Sequence, residues 1–300
     1  MALPTLTIFT NFRINDEERF LRMKDSFRSF QDIDAVKWVI NVRGKYKLEV
    51  ISFLKEHLKD KLLSHQIESG RGWFHDTRLL LPAIETNFVL YWIEDHINMA
   101  PVEKYRSILN ELAVSKSQYL FTSWWIFDQT QNAYEGLTKD SHDNIDSIMV
   151  DHEAAKVILE KYKLHFIISA AGLFEADLFR KLISTNHPRL RRWPKETPFD
   201  LEKRLTDSQW LPLRVSLPKF ELFAPIDDDL HGYTGSLQSR GLYPLRVLRH
   251  SEIPPSPPWK IALGKRYRAL PSGLRLMLEL SMINPYYKIM HLLRRISYHF

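Results

Sequence analysis

The stretch Asn87-Phe88-Val89-Leu90-Tyr91-Trp92-Ile93-Glu94-Asp95-His96 decides the fold. Val89 to Ile93 are all apolar, and β-branched and aromatic residues are frequent among them. That composition predicts a strand buried on both faces. The run stops on two acids and an imidazole. In open α/β sheets, ligands bind at the carboxyl ends of strands. Oxygen and imidazole donors in such a place suit a divalent cation. A polar strand end that turns the chain toward solvent accounts for the same residues equally well.

Upstream, strands and helices alternate. Leu6-Thr7-Ile8-Phe9-Thr10 reads as a first strand, ending at Asn11-Phe12-Arg13. Asn15-Asp16-Glu17-Glu18 begins a helix whose Phe20, Met23, Phe27 and Phe30 recur at helical spacing and belong to the core. Val36 to Val42 forms a second strand, closed by Arg43-Gly44. A helix is expected from Lys47 to Leu63, with Val50, Phe53, Leu54 and Leu58 inward. Ser69-Gly70-Arg71-Gly72-Trp73-Phe74 is a glycine turn, and Asp76-Thr77-Arg78 opens a short helix up to Glu85. This alternation argues for an α/β fold with a central, mostly parallel sheet flanked by helices. No G-x-x-x-x-G-K-[ST] and no G-x-G-x-x-G occurs, which excludes a P-loop and disfavours a dinucleotide cofactor.

Downstream, Pro101 suits the first turn of a helix with Tyr105, Ile108, Leu109 and Leu112 buried. Gln118 to Ile126 reads as a strand, Gln129 to Asp151 as a polar loop, and Leu164 to Ser169 as another strand. Ala171-Gly172-Leu173-Phe174 turns into a helix through Phe179 and Leu182. Thr197-Pro198 begins a helix, as N-cap and N1. Four prolines between Ser251 and Pro258 mark a semi-rigid linker. The expected organisation is a domain over 1–250 and a linker with a C-terminal helical extension over 251–300. There Tyr286, Tyr287, Ile289, Met290, Leu292 and Leu293 alternate with Lys288, Arg294 and Arg295. Such a basic amphipathic helix suits an anionic membrane surface, or packs on the domain.

Composition sets bounds. Of 300 residues, 44% are hydrophobic and 26% charged, enough for a sizeable core. The chain has no cysteine, which excludes disulfides and thiolate metal sites. A net charge of +6 favours anionic partners: nucleic acid, phospholipid or nucleotide phosphate. Met1-Ala2-Leu3-Pro4-Thr5 lacks the basic region of a signal peptide, so a cytoplasmic location is expected, with membrane association through the C-terminal helix.

Several of these motifs, taken together, resemble family-2-type glycosyltransferases of the GT-A fold, over roughly residues 5 to 245. Thr10-Asn11-Phe12-Arg13 resembles that family's opening strand and turn. Asn41-Val42-Arg43 falls where the family often carries an aspartate for the nucleotide base, absent here. Gly72 through Arg78 resembles the segment over the diphosphate. Glu94-Asp95-His96 is similar to the Asp-x-Asp metal motif, with histidine last. Ile167 to Phe174 resembles the acceptor-side strand and its helix. The family's base motif falls on Thr197-Pro198-Phe199-Asp200-Leu201, where threonine and proline replace an acid pair.

The resemblance implies inverting transfer of a sugar from a UDP- or GDP-linked donor to a hydroxyl of a glycan or lipid-linked acceptor. Thr10, Asn11, Arg13, Asn41, Arg71, Arg78, Glu94 and Asp95 are the expected donor-binding residues. Mn2+ or Mg2+ on Asp95, His96 and His231 would neutralise the leaving diphosphate. Glu196 is the first choice for the base, and Asp200 the second, although Asp200 equally suits a helix cap. Asp227-Asp228-Asp229 is either a solvated acidic loop or part of the site. Trp124 and Trp125 either stack on a sugar or lie in the core. Two other readings stay open: a catalytically inactive scaffold of the same fold, and a basic nucleic-acid-binding module. The second is disfavoured because no readable basic motif is present and the acidic strand end would repel phosphate.

Overall fold

A computed structural model describes residues 3–122, 134–158, 167–184, 210–227 and 235–243, with Pro198. The chain divides into residues 1–185 with 195–246, and residues 186–194 with 247–300; every described residue belongs to the first unit. The expected catalytic pair Glu196 and Asp200, the metal ligand His231, Trp124, Trp125 and the whole C-terminal extension lie outside the described residues.

The fold is α/β. A nine-stranded sheet carries helices on both faces. Its strands are β1 (Leu6–Arg13), β2 (Lys37–Arg43), β3 (Leu62–His65), β4 (Phe88–Tyr91), β6 (Tyr119–Phe121), β7 (Lys139–Ser141), β8 (Ile145–Val150), β9 (Gly172–Glu175) and β10 (Leu213–Pro218). The spatial order is β3-β2-β1-β4-β9-β6-β10-β8-β7. The strands β3, β2, β1 and β4 run parallel, β9 runs against both of its neighbours, and β6 and β10 resume the first direction. A separate antiparallel pair joins β5 (His96–Asn98) to β11 (Phe223–Pro225).

Alternation along the strands sends side chains to two cores. Leu6, Ile8, Phe12, Trp38, Ile40, Val42, Phe88, Leu90 and Trp92 meet α1 (Glu17–Phe30), α2 (Lys47–Leu58) and α4 (Lys104–Ser115). Phe9 and Tyr91 face the other way. There Phe9 lies 5.2 Å from Phe179 of α6 (Ala176–Ser184), and Tyr91 lies 5.8 Å from Trp73 of α3 (Trp73–Arg78). Both faces of the sheet are therefore covered at β1 and β4, which is why every residue of β4 is buried. The Asp16 carboxylate caps α1 through the Arg19 amide at 2.8 Å, as the acidic start predicted.

Four expectations change. The helix from Lys47 ends at Leu58, and Leu62-Leu63 belong to the edge strand β3 instead. The polar segment Gln129 to Asp151 is no loop at its second half. It forms the β7–β8 hairpin, because Ile145, Ile148 and Val150 are buried on the sheet. The buried Ser147 hydroxyl is satisfied by Ser117 at 2.6 Å and Ser216 at 2.7 Å. The segment Ala171 to Phe174 is not a turn, since Gly172 opens β9. A Cβ there would stand 2.2 Å from the Tyr119 ring, so only glycine lets β9 lie against β6. Ile167, Ile168 and Ser169, the described end of the strand expected from Leu164, are irregular and not extended in the sheet. Among the described residues, no helix is long and apolar enough to cross a membrane.

Candidate functional site

Because β1, β2 and β4 are parallel, their carboxyl ends share one edge. The edge gathers Arg13, Arg43 and the turn after Tyr91. Arg13 and Arg43 are direct neighbours in the β1–β2 register. The chain leaves β4 at Trp92, whose amide still donates to Phe9 at 2.9 Å. Glu94 and Asp95 form the turn, and His96 starts β5, so the acid–imidazole run is the corner between two strands.

That corner is held from two sides. The Ser26 hydroxyl on α1 donates to the carbonyl of His96 and receives the Trp92 indole N–H at 2.8 Å. The Ile226 amide donates to the carbonyl of Asp95 at 2.8 Å. Leu237 and Gln238 amides then bond Pro225 and Ile226 carbonyls at 2.9 and 3.1 Å. The two described flanks of segment 228–234 are thus tied beside Asp95. Asp227 pairs with the Arg22 guanidinium of α1, so this acid is a strut and not a solvated loop residue.

The three side chains of the corner do different things. Glu94 is nearly buried and accepts from Arg19 at 2.6 Å. Burial, then the neighbouring Asp95 charge, push its carboxyl above the usual range, with Arg19 acting against them. The Asp95 side chain keeps 37% exposure and bonds His96 Nδ1 at 2.8 Å. Burial would raise its carboxyl too, but the His96 hydrogen bond and charge, with Arg19, outweigh it and hold the group below the usual range.

The corner has donor atoms of the kind a divalent cation takes, but they are already engaged. Two donors, Asp95 and His96, are bonded to each other, and Glu94 is engaged by Arg19. Among the described residues, no group of three side chains suited to a metal comes together. The described residues therefore do not make a ligand set.

The expected donor-binding residues fall into two groups. Asn11 and Asn41 are at the edge but directed inward. Asn41 Nδ2 donates to Asn11 Oδ1 and to the Ile67 carbonyl, each at 2.9 Å, while its Oδ1 accepts the Ile67 amide at 2.7 Å. Asn11 Nδ2 donates to Thr77 Oγ1 at 3.0 Å and to the Trp73 carbonyl at 3.3 Å. All four amide N–H groups are used, so these residues position β1, β2, α3 and the segment before it. Thr10 is fully buried with its hydroxyl unpartnered. Arg78 reaches away, donating from Nε to the Ile183 carbonyl at 2.9 Å.

The second group faces outward. Arg13 pairs with Glu68, both about two-fifths exposed at 42%. Arg71 is exposed, with one guanidinium nitrogen 3.3 Å from His75 Nε2. Gly70 and Gly72 adopt φ of +71° and +96°, which glycine alone adopts freely, and they swing the segment across the strand ends. Two residues escaped the sequence reading. Arg19 carries no sequence signal that sets it apart from the other charged residues of α1. Arg43 lies two residues past Asn41 in the Asn41-Val42-Arg43 motif, where its lack of a partner among the described residues leaves no mark in the sequence.

No family model matches the chain, and no curated protein does. Among solved structures, the chain is similar to TarS of S. aureus: TM-score 0.46, 12% identity, over 73% of this chain and 36% of that one. A TarS 1-349 structure in complex with UDP gives a TM-score of 0.46 at 12% identity, over 73% of this chain and 59% of that one. The chain thus spans between about a third and three-fifths of the length of these structures. A likeness of this degree does not by itself define a family or an activity.

Proposed function

We propose that the chain is a glycosyltransferase that moves a sugar from a nucleotide-sugar donor to an acceptor hydroxyl. The observation that carries this reading is the shared edge of β1, β2 and β4, where two arginines, an acid–imidazole corner and a glycine-kinked segment converge. Ligands bind at this end of parallel strands. The sequence resemblance supplies the reaction class.

In the reaction the acceptor oxygen attacks the anomeric carbon. The bond from that carbon to the diphosphate breaks, and the diphosphate keeps the electron pair. Arginine at the strand ends favours this charge through charge-assisted hydrogen bonds. A carboxylate must take the acceptor proton; Glu196 is assigned that role, with Asp200 as the alternative. Inversion, a lipid-linked or glycan acceptor, and docking of residues 286–300 on an anionic membrane belong to the same proposal.

The test is a binding screen of UDP- and GDP-linked sugars, with and without Mn2+, read by thermal unfolding. A ligand at a hundred times its Kd stabilises by about 2.7 kcal/mol. Response to a nucleotide-sugar supports the reading. RNA binding with a steep salt dependence, and no such response, replaces it with a nucleic-acid module. Silence toward both replaces it with an inactive scaffold.

A further inference from the structure

We propose that Arg43 is a phosphate-binding residue of the strand-end site, its guanidinium held ready for an anion that the described residues do not supply. This rests on the reading of that edge as a donor site.

Three other arginines near this edge are paired with acids. Arg13 has Glu68, Arg19 has Glu94, and Arg22 has both Glu18 and Asp227. Arg43 has no ion pair or hydrogen bond from its side chain among the described residues. Its Nε is buried without any partner. The remaining acids nearby are already engaged: Glu68 by Arg13, and Asp76 by the Ser69 hydroxyl and amide. Burial lowers the Arg43 pKa, the neighbouring Arg13 charge lowers it further, and Asp76, Tyr91 and Glu68 only partly offset this.

A partly buried cation with a like charge beside it and no counter-ion costs stability. Such a cost persists in a protein when the group meets its partner only on binding. The guanidinium fork suits phosphate oxygens, to which it gives two parallel hydrogen bonds. Its position suits the ligand as well. Arg43 ends β2, one strand over from β1 and two from β4, so it lies along the same edge as the Glu94–Asp95–His96 corner.

The experiment compares the full-length chain with Arg43→Gln and Arg43→Lys. The probes are inorganic pyrophosphate, UDP and the uncharged nucleoside uridine, with affinity measured by calorimetry and unfolding by heat. Loss of a charge-assisted hydrogen bond corresponds to about 10- to 100-fold in affinity. The expected result is a loss in that range for pyrophosphate and UDP with Arg43→Gln, a smaller loss with Arg43→Lys, and no change for uridine. Without ligand, Arg43→Gln is expected to melt no lower than the parent chain. Equal affinity of parent and Arg43→Gln for the two phosphates overturns the proposal. So does an equal loss for uridine, or a ligand-free melting point well below the parent's, since either marks Arg43 as a structural residue. If Arg43→Gln does not fold, undiminished phosphate binding by Arg43→Lys and a normal ligand-free melt overturn the requirement for the fork. Arg43-dependent pyrophosphate binding without any nucleotide-sugar binding upholds Arg43 and removes the transferase reading. Nucleotide-sugar binding indifferent to Arg43 does the reverse.

Discussion

Asn41 Nδ2 donates to Asn11 Oδ1 at 2.9 Å across the β1–β2 ladder, with both side chains shut off from solvent. The pair converts two strand ends into one rigid support. Asn41→Asp would set a carboxylate oxygen against the Asn11 and Ile67 acceptors. Each unsatisfied buried polar group costs about 1–3 kcal/mol. Urea unfolding is expected to show Asn41→Asp less stable by at least the lower end of that range, and Asn41→Ala less stable as well.

The corner of the site predicts a pH signature. Asp95 has its folded-state carboxyl held below the unfolded value, mainly by His96 against an opposing burial effect. Its stabilising contribution is therefore present above the unfolded pKa and is lost as pH falls through the folded one. Asp95→Asn is expected to lower stability at neutral pH, with the difference from the parent closing in acid. Glu94 has the opposite sign: burial raises its carboxyl, so its contribution is greatest below the unfolded pKa and is lost as pH rises through the folded one. Paired stability–pH curves of the two amide variants check both signs.

Gly172 predicts an overpacking effect. Its missing Cβ is filled by the Tyr119 ring, and that ring is fixed because its hydroxyl accepts the Ser169 amide at 2.9 Å. Gly172→Ala is expected to destabilise by about 1–3 kcal/mol or more. Denaturant midpoints of Gly172→Ala and of the double variant with Tyr119→Leu measure it. The double variant should recover part of the loss specific to the alanine, because the ring that it strikes is gone.

A closed group of hydroxyls predicts non-additivity. Ser117, Ser147 and Ser216 are all buried and mutually bonded at 2.6 to 2.7 Å. Replacing one by alanine leaves two hydroxyls short of a partner. Replacing all three leaves only the Ser115 hydroxyl without its Ser117 partner at 2.8 Å, and Ser115 still donates to the Leu112 carbonyl at 3.3 Å. The triple variant is expected to lose less than the sum of the single losses in urea titrations.

The fold was legible where burial is complete and illegible where it is shared. β4 continues an unbroken apolar run and β1 and β2 are buried along most of their length because helices cover both faces, and α1 shows its cap and its stripe. The edge strand β3 was lost because Leu62-Leu63 continue a helical pattern just as well as they start a strand. The hairpin of β7 and β8 was lost because its inward positions include Ser147, whose polarity is cancelled only by two serines far away in sequence. At the candidate site, sequence located the edge and the corner. It did not separate ligand-facing groups from struts, because Asn11 and Asn41 look like ligands until their amides are traced to Thr77 and Ile67. The absence of an ion pair at Arg43 is a property of space, with no trace in the order of residues.

The reversed strand β9 has a consequence for how this molecule can be cut. It is the splice between β4 and β6, and it is made from residues that follow β4 by some eighty positions. A fragment that ended after β6 would hold both halves of the splice with nothing to join them. Two raw, greasy sheet margins would then stand open, each a template for a stray chain. We therefore expect shortened forms to clump on expression, and only lengths that retain Gly172 to Glu175 to yield a well-behaved domain.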